Sequence, residues 1–416
     1  MSEVDRGHAP AADIEGNAAG PLLLTPPFFI LVGITLCGTF PLHVFIPALP
    51  SAARDLGASA SSIGATITLY VIGLSVGQLV YGPLSDRYGR RPVLLSGLLL
   101  FTLASFGAAT APTLRTLEFA RVAQALGGCS GLILGRAIAR DVSGTISLIR
   151  RLAALSIAMA AATAIAPVIG AQLVEHLGWR AIFYALGAID AIVLLCVWFM
   201  VPETRTVSGH HTLARYLHNY AQLLKSPAFV ANSLGGASAG TGIYAFLSAS
   251  PFILQTHFGL SAEEFGFAYC LLVIGLACGQ STAKRLAGKV PARSAVITAS
   301  VIMATASAGL VVAYVVHEWT VVTVMAPMIV MFYATGLSSP FAISSALDVN
   351  ASVVGAAAGL YGSLQMGYGA LCTAAAGFLP DDPAVSMIAT LVLSSAIAWL
   401  SFTSTPRPMS VRGDVM

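Results

Sequence analysis

Twelve times along its length this chain runs for about twenty residues on mostly apolar side chains, the length a helix needs to cross a hydrocarbon core of roughly 30 Å. The runs fall near 28–48, 60–81, 92–111, 116–135, 152–174, 181–201, 228–254, 264–283, 294–316, 320–342, 353–378 and 384–404. Several carry Gly and Pro, which membrane helices tolerate better than soluble ones do. Of 416 residues, 56% are hydrophobic and 9% charged, whereas soluble domains carry roughly a quarter charged residues. A soluble domain of this composition would have no polar surface to offer water. The expected fold is all-α and integral to the membrane, with twelve transmembrane helices.

Lysine and arginine placement gives the orientation. If the first run enters from the cytoplasm, the outer connections hold only Arg54, Arg115 and Arg180, and all other basic residues except Arg121 fall on the inner side or in the tails. Both termini are therefore expected in the cytoplasm, with the spans in the cell inner membrane and surrounded by lipid. Trp179 and Trp319 fall at outer ends of runs, and Trp198 and Trp399 near inner ones, as interfacial indoles do. The net charge of +3 shows no basic arm, so nucleic acid is not an expected partner. The six cysteines lie inside apolar stretches without a CxxC pair; buried free thiols are expected, with no disulfide framework and no metal site.

The polar segment 1–25 lacks the basic start and short apolar core of a signal peptide and reads as a disordered cytoplasmic tail. The longest connection, 203–226, divides the remainder into six-helix halves at 26–202 and 227–405, with a short tail at 406–416. An internal echo supports the division. VIGLSVGQ at 71–78 lies in the second run, and VIGLACGQ at 273–280 in the eighth, the matching place in each half. Parallel six-helix repeats are one known transporter architecture.

Between the second and third runs stands GPLSDRYGRRP, 82–92. Gly82 and Gly89 suit a tight turn and close helix approach. Asp86 can accept from arginines or face a helix N-terminus in the other half. This stretch resembles the loop signature of the major facilitator superfamily, Gly-x-Leu-Ser/Ala-Asp-Arg-x-Gly-Arg-Arg, matched by Gly82, Leu84, Ser85, Asp86, Arg87, Gly89, Arg90 and Arg91. The resemblance implies two pseudo-symmetric six-helix halves and a cytoplasmic latch that holds while the transporter opens outward. The alternative is a simple basic inner loop. The second half has KRLAGK at the corresponding place, without the acid, so any latch is asymmetric.

In the fourth run, TLEFARVAQALGG resembles the family's second signature at Arg121, Gln124, Gly127 and Gly128, with Ala125 where glycine is usual. A charge at that depth costs about 2.5–3.5 kcal/mol on insertion scales, so Arg121 needs a partner or a water-filled cavity. Glu118, three residues earlier, is the expected partner. The pair either controls a protonation site or locks the helix. In the fifth run, TAIAPVIGAQL is similar to the Gly-Pro-x-x-Gly-Gly element of antiporters at Pro167 and Gly170, with Ala166 and Ala171 in place of outer glycines. LGWRAIF at 177–183, PET at 202–204 and FPLHVFIPALP at 40–50 narrow the resemblance to drug–proton antiporters of the bicyclomycin- and chloramphenicol-resistance type. Many members carry an acid where this chain has His43. Histidine titrates near neutral pH and can bind a coupling proton; altered substrate choice, lost coupling and a plain hydrogen-bonding role are the alternatives. Asp190, in mid-span, is a further coupling candidate, with a structural hydrogen bond to a neighbouring helix as the favoured reading.

The resemblance implies a central cavity with Phe45, Tyr70, Gln78, Tyr244, Phe332, Tyr333, Tyr361, Gln365 and Tyr368 as candidate contacts. Aromatic walls with few polar groups suit lipophilic, weakly polar ligands. The expected function is proton-coupled efflux of hydrophobic small molecules, phenicol- or bicyclomycin-like antibiotics among them, by a monomer that uses the proton gradient and no cofactor. Movement of an endogenous metabolite in either direction and a non-transporting membrane sensor are the rivals. No GxxxxGK[ST] loop and no HExxH occurs, so neither direct ATP use nor a membrane enzyme is expected.

Overall fold

The computed structural model describes residues 26–142, 145–204, 213–349, 353–378 and 382–405. Among them twelve long helices run back and forth: α1 Phe28–Asp55, α2 Ala60–Tyr88, α3 Arg90–Ala109, α4 Leu114–Asp141, α5 Thr145–Leu177, α6 Arg180–Met200, α7 Pro227–His257, α8 Ala262–Leu286, α9 Ala292–Val315, α10 Val321–Leu347, α11 Val354–Phe378 and α12 Pro383–Ser404. The side on which α1 begins and α12 ends is called the near face here, and the opposite side the far face. A short linker helix, Leu213–Leu224, lies between α6 and α7. The proposed tails 1–25 and 406–416 lie outside the described residues.

Eleven of the twelve helices are long and apolar enough to cross a membrane. The exception, α11, interrupts its apolar face with glycines, Tyr361, Gln365 and Tyr368. Several helices outrun their apolar stretches, α2 to Tyr88 and α4 to Asp141, because intrahelical hydrogen bonding continues past the hydrocarbon. Their starts are set by local chemistry. The side chains of Thr113, Ser261 and Thr320 cap the far-face ends of α4, α8 and α10 in reciprocal capping boxes. Pro227 and Pro383 open α7 and α12 where no amide donor is required.

The main packings of the first half recur six helices later. α1 lies on α4 and α5, and α7 on α10 and α11; α3 lies on α4 and α6, and α9 on α10 and α12. The sequence echo has the same geometry in both halves. Gly73 and Gly77 face Ala125 and Cys129 on α4, while Gly275 and Gly279 face the carbonyls of Ile329 and Tyr333 on α10. With lipid outside and no hydrophobic drive between helices, such small-residue contact is what brings them together. The tightest approach to a backbone atom joins α4 to α1 at Gly131, with a second at Gly128. A Cβ on Gly128 would stand 2.2 Å from Cys37 O, and one on Gly131 1.9 Å from Ile34 O.

The halves meet along two seams. Between α2 and α11 the contacts are polar: Thr68 Oγ1 donates to Thr373 Oγ1 at 2.7 Å, Ser75 Oγ donates to Ser363 O at 2.8 Å, and the Gln78 amide lies over Gly362. Between α5 and α8 they are small and apolar: Gly266 sits on Pro167 and Val168, and the Cys270 thiol donates to Ala164 O. At the far face a 3₁₀ turn in α1, Ile46–Ala48, meets a π-helical turn in α7, Phe252–His257, where Gln255 Nε2 donates to Pro47 O at 3.3 Å.

Two expectations of burial need correction. Trp179 is only 3% exposed, stacked edge-on to Phe45 and Phe183 with its indole N–H on Asp55, so it is a packing residue and not an interfacial anchor. Cys278 is exposed on α8, while Cys37, Cys129 and Cys372 are buried.

Candidate functional site

Proline at 41 removes an amide donor from α1 and leaves the backbone carbonyl a turn earlier short of its partner. Tyr70 of α2 docks beside it: its hydroxyl donates to the adjacent Gly38 O at 2.7 Å and reaches the freed Cys37 O only at 3.5 Å. The Tyr70 ring then forms one wall of a cage. The Arg121 guanidinium carbon lies 4.0 Å from its centroid, 5.2 Å from that of Phe45 and 5.7 Å from that of Phe183. Arg121 is fully buried. Its Nη1 donates to Gln124 Oε1 at 2.7 Å and to Pro41 O at 3.4 Å, while Nε and Nη2 have no hydrogen-bond acceptor. Gln124 is held in turn by donation from Nε2 to Ser105 Oγ at 2.8 Å. Each cation–π contact is worth about 0.5–2 kcal/mol. Three of them are of the same order as the roughly 2.5–3.5 kcal/mol needed to insert the charge.

The expected Glu118–Arg121 pair is not formed. Glu118 faces Arg115 instead, at 3.5 Å near the far face. Both arginines lie three residues away, but only Arg115 is hydrated. Turning Glu118 toward Arg121 would desolvate a carboxylate, at a cost that ion pairing often fails to recover. Phe45 and Tyr70 are both fully buried walls of the Arg121 cage.

His43 points the other way, toward the second half. Its ring stands 6.4 Å from that of Tyr269 on α8, at 64°. Tyr269 in turn meets Phe332 of α10 edge-on at 6.4 Å. His43 Nδ1 lies 2.9 Å from Thr39 O. A carbonyl only accepts, so Nδ1 carries a proton, and in the neutral ring Nε2 keeps its lone pair. Asp190 is separate from this seam. It is buried between α1, α3 and α6, with Oδ1 accepting from the Cys37 thiol at 3.1 Å and Oδ2 from Thr102 Oγ1 at 2.6 Å.

Other candidates divide by location. Gln78 reaches α11 at Gly362. Tyr244 packs on Gly369 with its hydroxyl toward Met366 Sδ, and the Gln365 amide lies on Gly240. Tyr361 is buried against Gly236, its hydroxyl without a partner. Tyr333 and Tyr368 turn into their own half, donating to Thr282 Oγ1 at 3.3 Å and Ser394 Oγ at 3.0 Å. Pro167 and Gly170 sit where α5 is pressed between neighbours. Pro167 faces Gly266 of α8, and a Cβ on Gly170 would meet Val44 O of α1 at 2.0 Å.

At the near face the α2–α3 loop gathers charges. Arg90 pairs with Asp86 at 2.9 Å and Asp141 at 3.2 Å, and donates to Ser85 Oγ. Asp86 also accepts from the Tyr216 hydroxyl of the linker helix, so its partner across the loop is that helix. Burial and this bond push the Tyr216 hydroxyl well above its usual range, which keeps it a donor. Arg91 Nη2 donates to Trp198 O, and Arg87 is exposed over the Tyr88 ring. Gly89 has φ +98°, a conformation that glycine adopts without strain. Gly82 has open space where a Cβ would stand, so close helix approach does not require it. Glu203 completes the loop: Oε1 and Oε2 accept from the backbone amides of Arg90 and Arg91 at 2.9 and 3.1 Å, a carboxylate on the N-terminus of α3. Glu203→Gln is expected to lower stability by about 1 kcal/mol, the scale of a lost cap, read as a shift in thermal unfolding of the purified protein.

The sequence profile of the Major Facilitator Superfamily matches residues 29–373. The chain belongs to that superfamily. It is therefore a multi-pass membrane transporter of small molecules and not an enzyme. Over 379 residues the facilitator chain is 29% identical to multidrug resistance protein D of Escherichia coli K12, covering 89% of this chain and 94% of that one. It is 23% identical over 401 residues to a bicyclomycin resistance protein homolog of Haemophilus influenzae, covering 93% and 98%. Among solved structures it is similar to the D-xylose–proton symporter, with a TM-score of 0.71 at 13% identity, covering 89% and 96%. That likeness establishes the facilitator fold alone.

Several residues of these sites carry no mark in the sequence, Phe183 and Asp141 among them. Tyr269 and Tyr216 acquire their neighbours only when distant helices meet. Glu203 was noticed only as part of PET; an acid just after a span, in a chain with so few, was the available signal.

Proposed function

We propose that the chain exports hydrophobic small molecules in exchange for protons, exposing a site between its halves to each side of the membrane in turn. The observation that carries this reading is His43: a titratable ring at the seam between halves, tied through Nδ1 to Thr39 and free to take a proton at Nε2. The drug-resistance names of the two relatives support a lipophilic cargo, with phenicol- and bicyclomycin-like antibiotics as the first compounds to try. Asymmetry of basic residues supports a cytoplasmic near face, both termini inside and residence in the inner membrane. The protein works as a monomer in lipid, with the proton gradient as its energy source and no cofactor. The Asp86–Arg90–Tyr216 cluster is the near-face latch in this reading.

Everted vesicles acidified inside are expected to accumulate chloramphenicol, and an uncoupler to abolish the accumulation. His43→Ala is expected to remove the dependence on the pH gradient while leaving exchange of labelled for unlabelled compound. Accumulation that survives the uncoupler would sink the proton mechanism.

A further inference from the structure

Charge on the seam is sparse, and away from its far-face mouth it is of one sign. The chain has eighteen acidic residues, and all but one lie in tails, loops or the terminal two turns of a helix. The exception, Asp190, has both carboxylate oxygens engaged by Cys37 and Thr102 on the side of α1 away from the second half. Arg54 and the exposed Glu175 line the far-face mouth between the halves, beside Gln255; the polar groups that the described residues place deeper along the seam are neutral. The α2–α11 pairs are Thr68–Thr373 and Ser75–Ser363, with Gln78 beside them; Gln255 and Tyr269 face α1. His43 is the titratable base among them. Behind it Arg121, two residues along α1 by its bond to Pro41 O, keeps a full charge that no carboxylate neutralises.

We propose that this seam selects neutral or weakly acidic lipophiles and excludes permanently cationic ones. The proposal rests on reading the seam as the binding place. A cation drawn to the level of His43 would give up its hydration, while the nearest seam carboxylate, Glu175, stays out at the exposed far-face mouth. The cation would also face Arg121 across low-dielectric protein, where like charges repel strongly. A neutral molecule meets neither cost, and Tyr269 and Phe332, buried beside His43 in this state, offer it aromatic surface once the halves part. An anion gains when His43 is protonated.

The test uses the purified full-length protein and a matched pair of probes, triphenylphosphine oxide and tetraphenylphosphonium, in equilibrium dialysis. The oxide is expected to bind at least tenfold more tightly. A phosphonium affinity closer than tenfold, or no binding of the oxide, overturns the proposal. His43→Glu places a carboxylate on the seam and is expected to raise phosphonium affinity at least tenfold over the unaltered protein. Phe332→Glu does the same from the opposite wall should the first variant not fold. A folded variant of either kind that gains nothing counts against the proposal. Dialysis needs no gradient and no direction of transport, so the vesicle experiment can fail while the charge rule holds, and the reverse.

Discussion

Gly131→Ala is expected to abolish most of the folded protein, lowering stability by about 3 kcal/mol or more, the upper range for overpacking a core. One methyl group does this because its neighbour is backbone. The new Cβ would stand 1.9 Å from Ile34 O, and only separation of α1 from α4 relieves it. Gly128 would keep the helices from tilting around the obstruction, since its own Cβ position lies 2.2 Å from Cys37 O. Gly64→Ala is the control. Nothing lies within 4 Å of its Cβ position in α2, so it should be neutral or stabilising by up to about 1 kcal/mol. Thermal unfolding of the monodisperse fraction after detergent extraction reads both. Equal behaviour of the two variants would refute the close α1–α4 contact.

The second large effect is at Arg121, where volume and charge are expected to separate. Arg121→Met keeps most of the volume among Phe45, Tyr70 and Phe183 and removes the charge; its cost is about 1 kcal/mol, the Gln124 oxygen left without its donor. Arg121→Ala empties the cage and is expected to cost about 3 kcal/mol, as other large-to-small core changes do. Both should reduce vesicle accumulation at least tenfold. Full transport by the methionine variant would show that the charge serves packing alone.

The spans and their twofold repetition were legible because hydropathy and glycine spacing are local signals that survive without neighbours. The loop at 82–92 was legible for the same reason: its ion pair Asp86–Arg90 is a single helical turn long. The rest depends on contacts between residues far apart in the chain. The rule that residues three apart on a helix can pair pointed Glu118 to Arg121 but fits Arg115 equally, and hydration at the far face favours Arg115. Nothing local marks Phe45, Tyr70 and Phe183 as one cage, since they come from α1, α2 and α6. Tyr269 is one aromatic among many until α8 is laid beside α1.

The cage also bears on how the chain enters the bilayer. Helix α4 is made before α6, so Arg121 reaches the membrane when only two of its three rings are present. The third arrives with Phe183, and the Asp190 tie to α1 and α3 arrives on the same helix. The sixth helix therefore completes the first half as a chemical unit while the second half is still unmade.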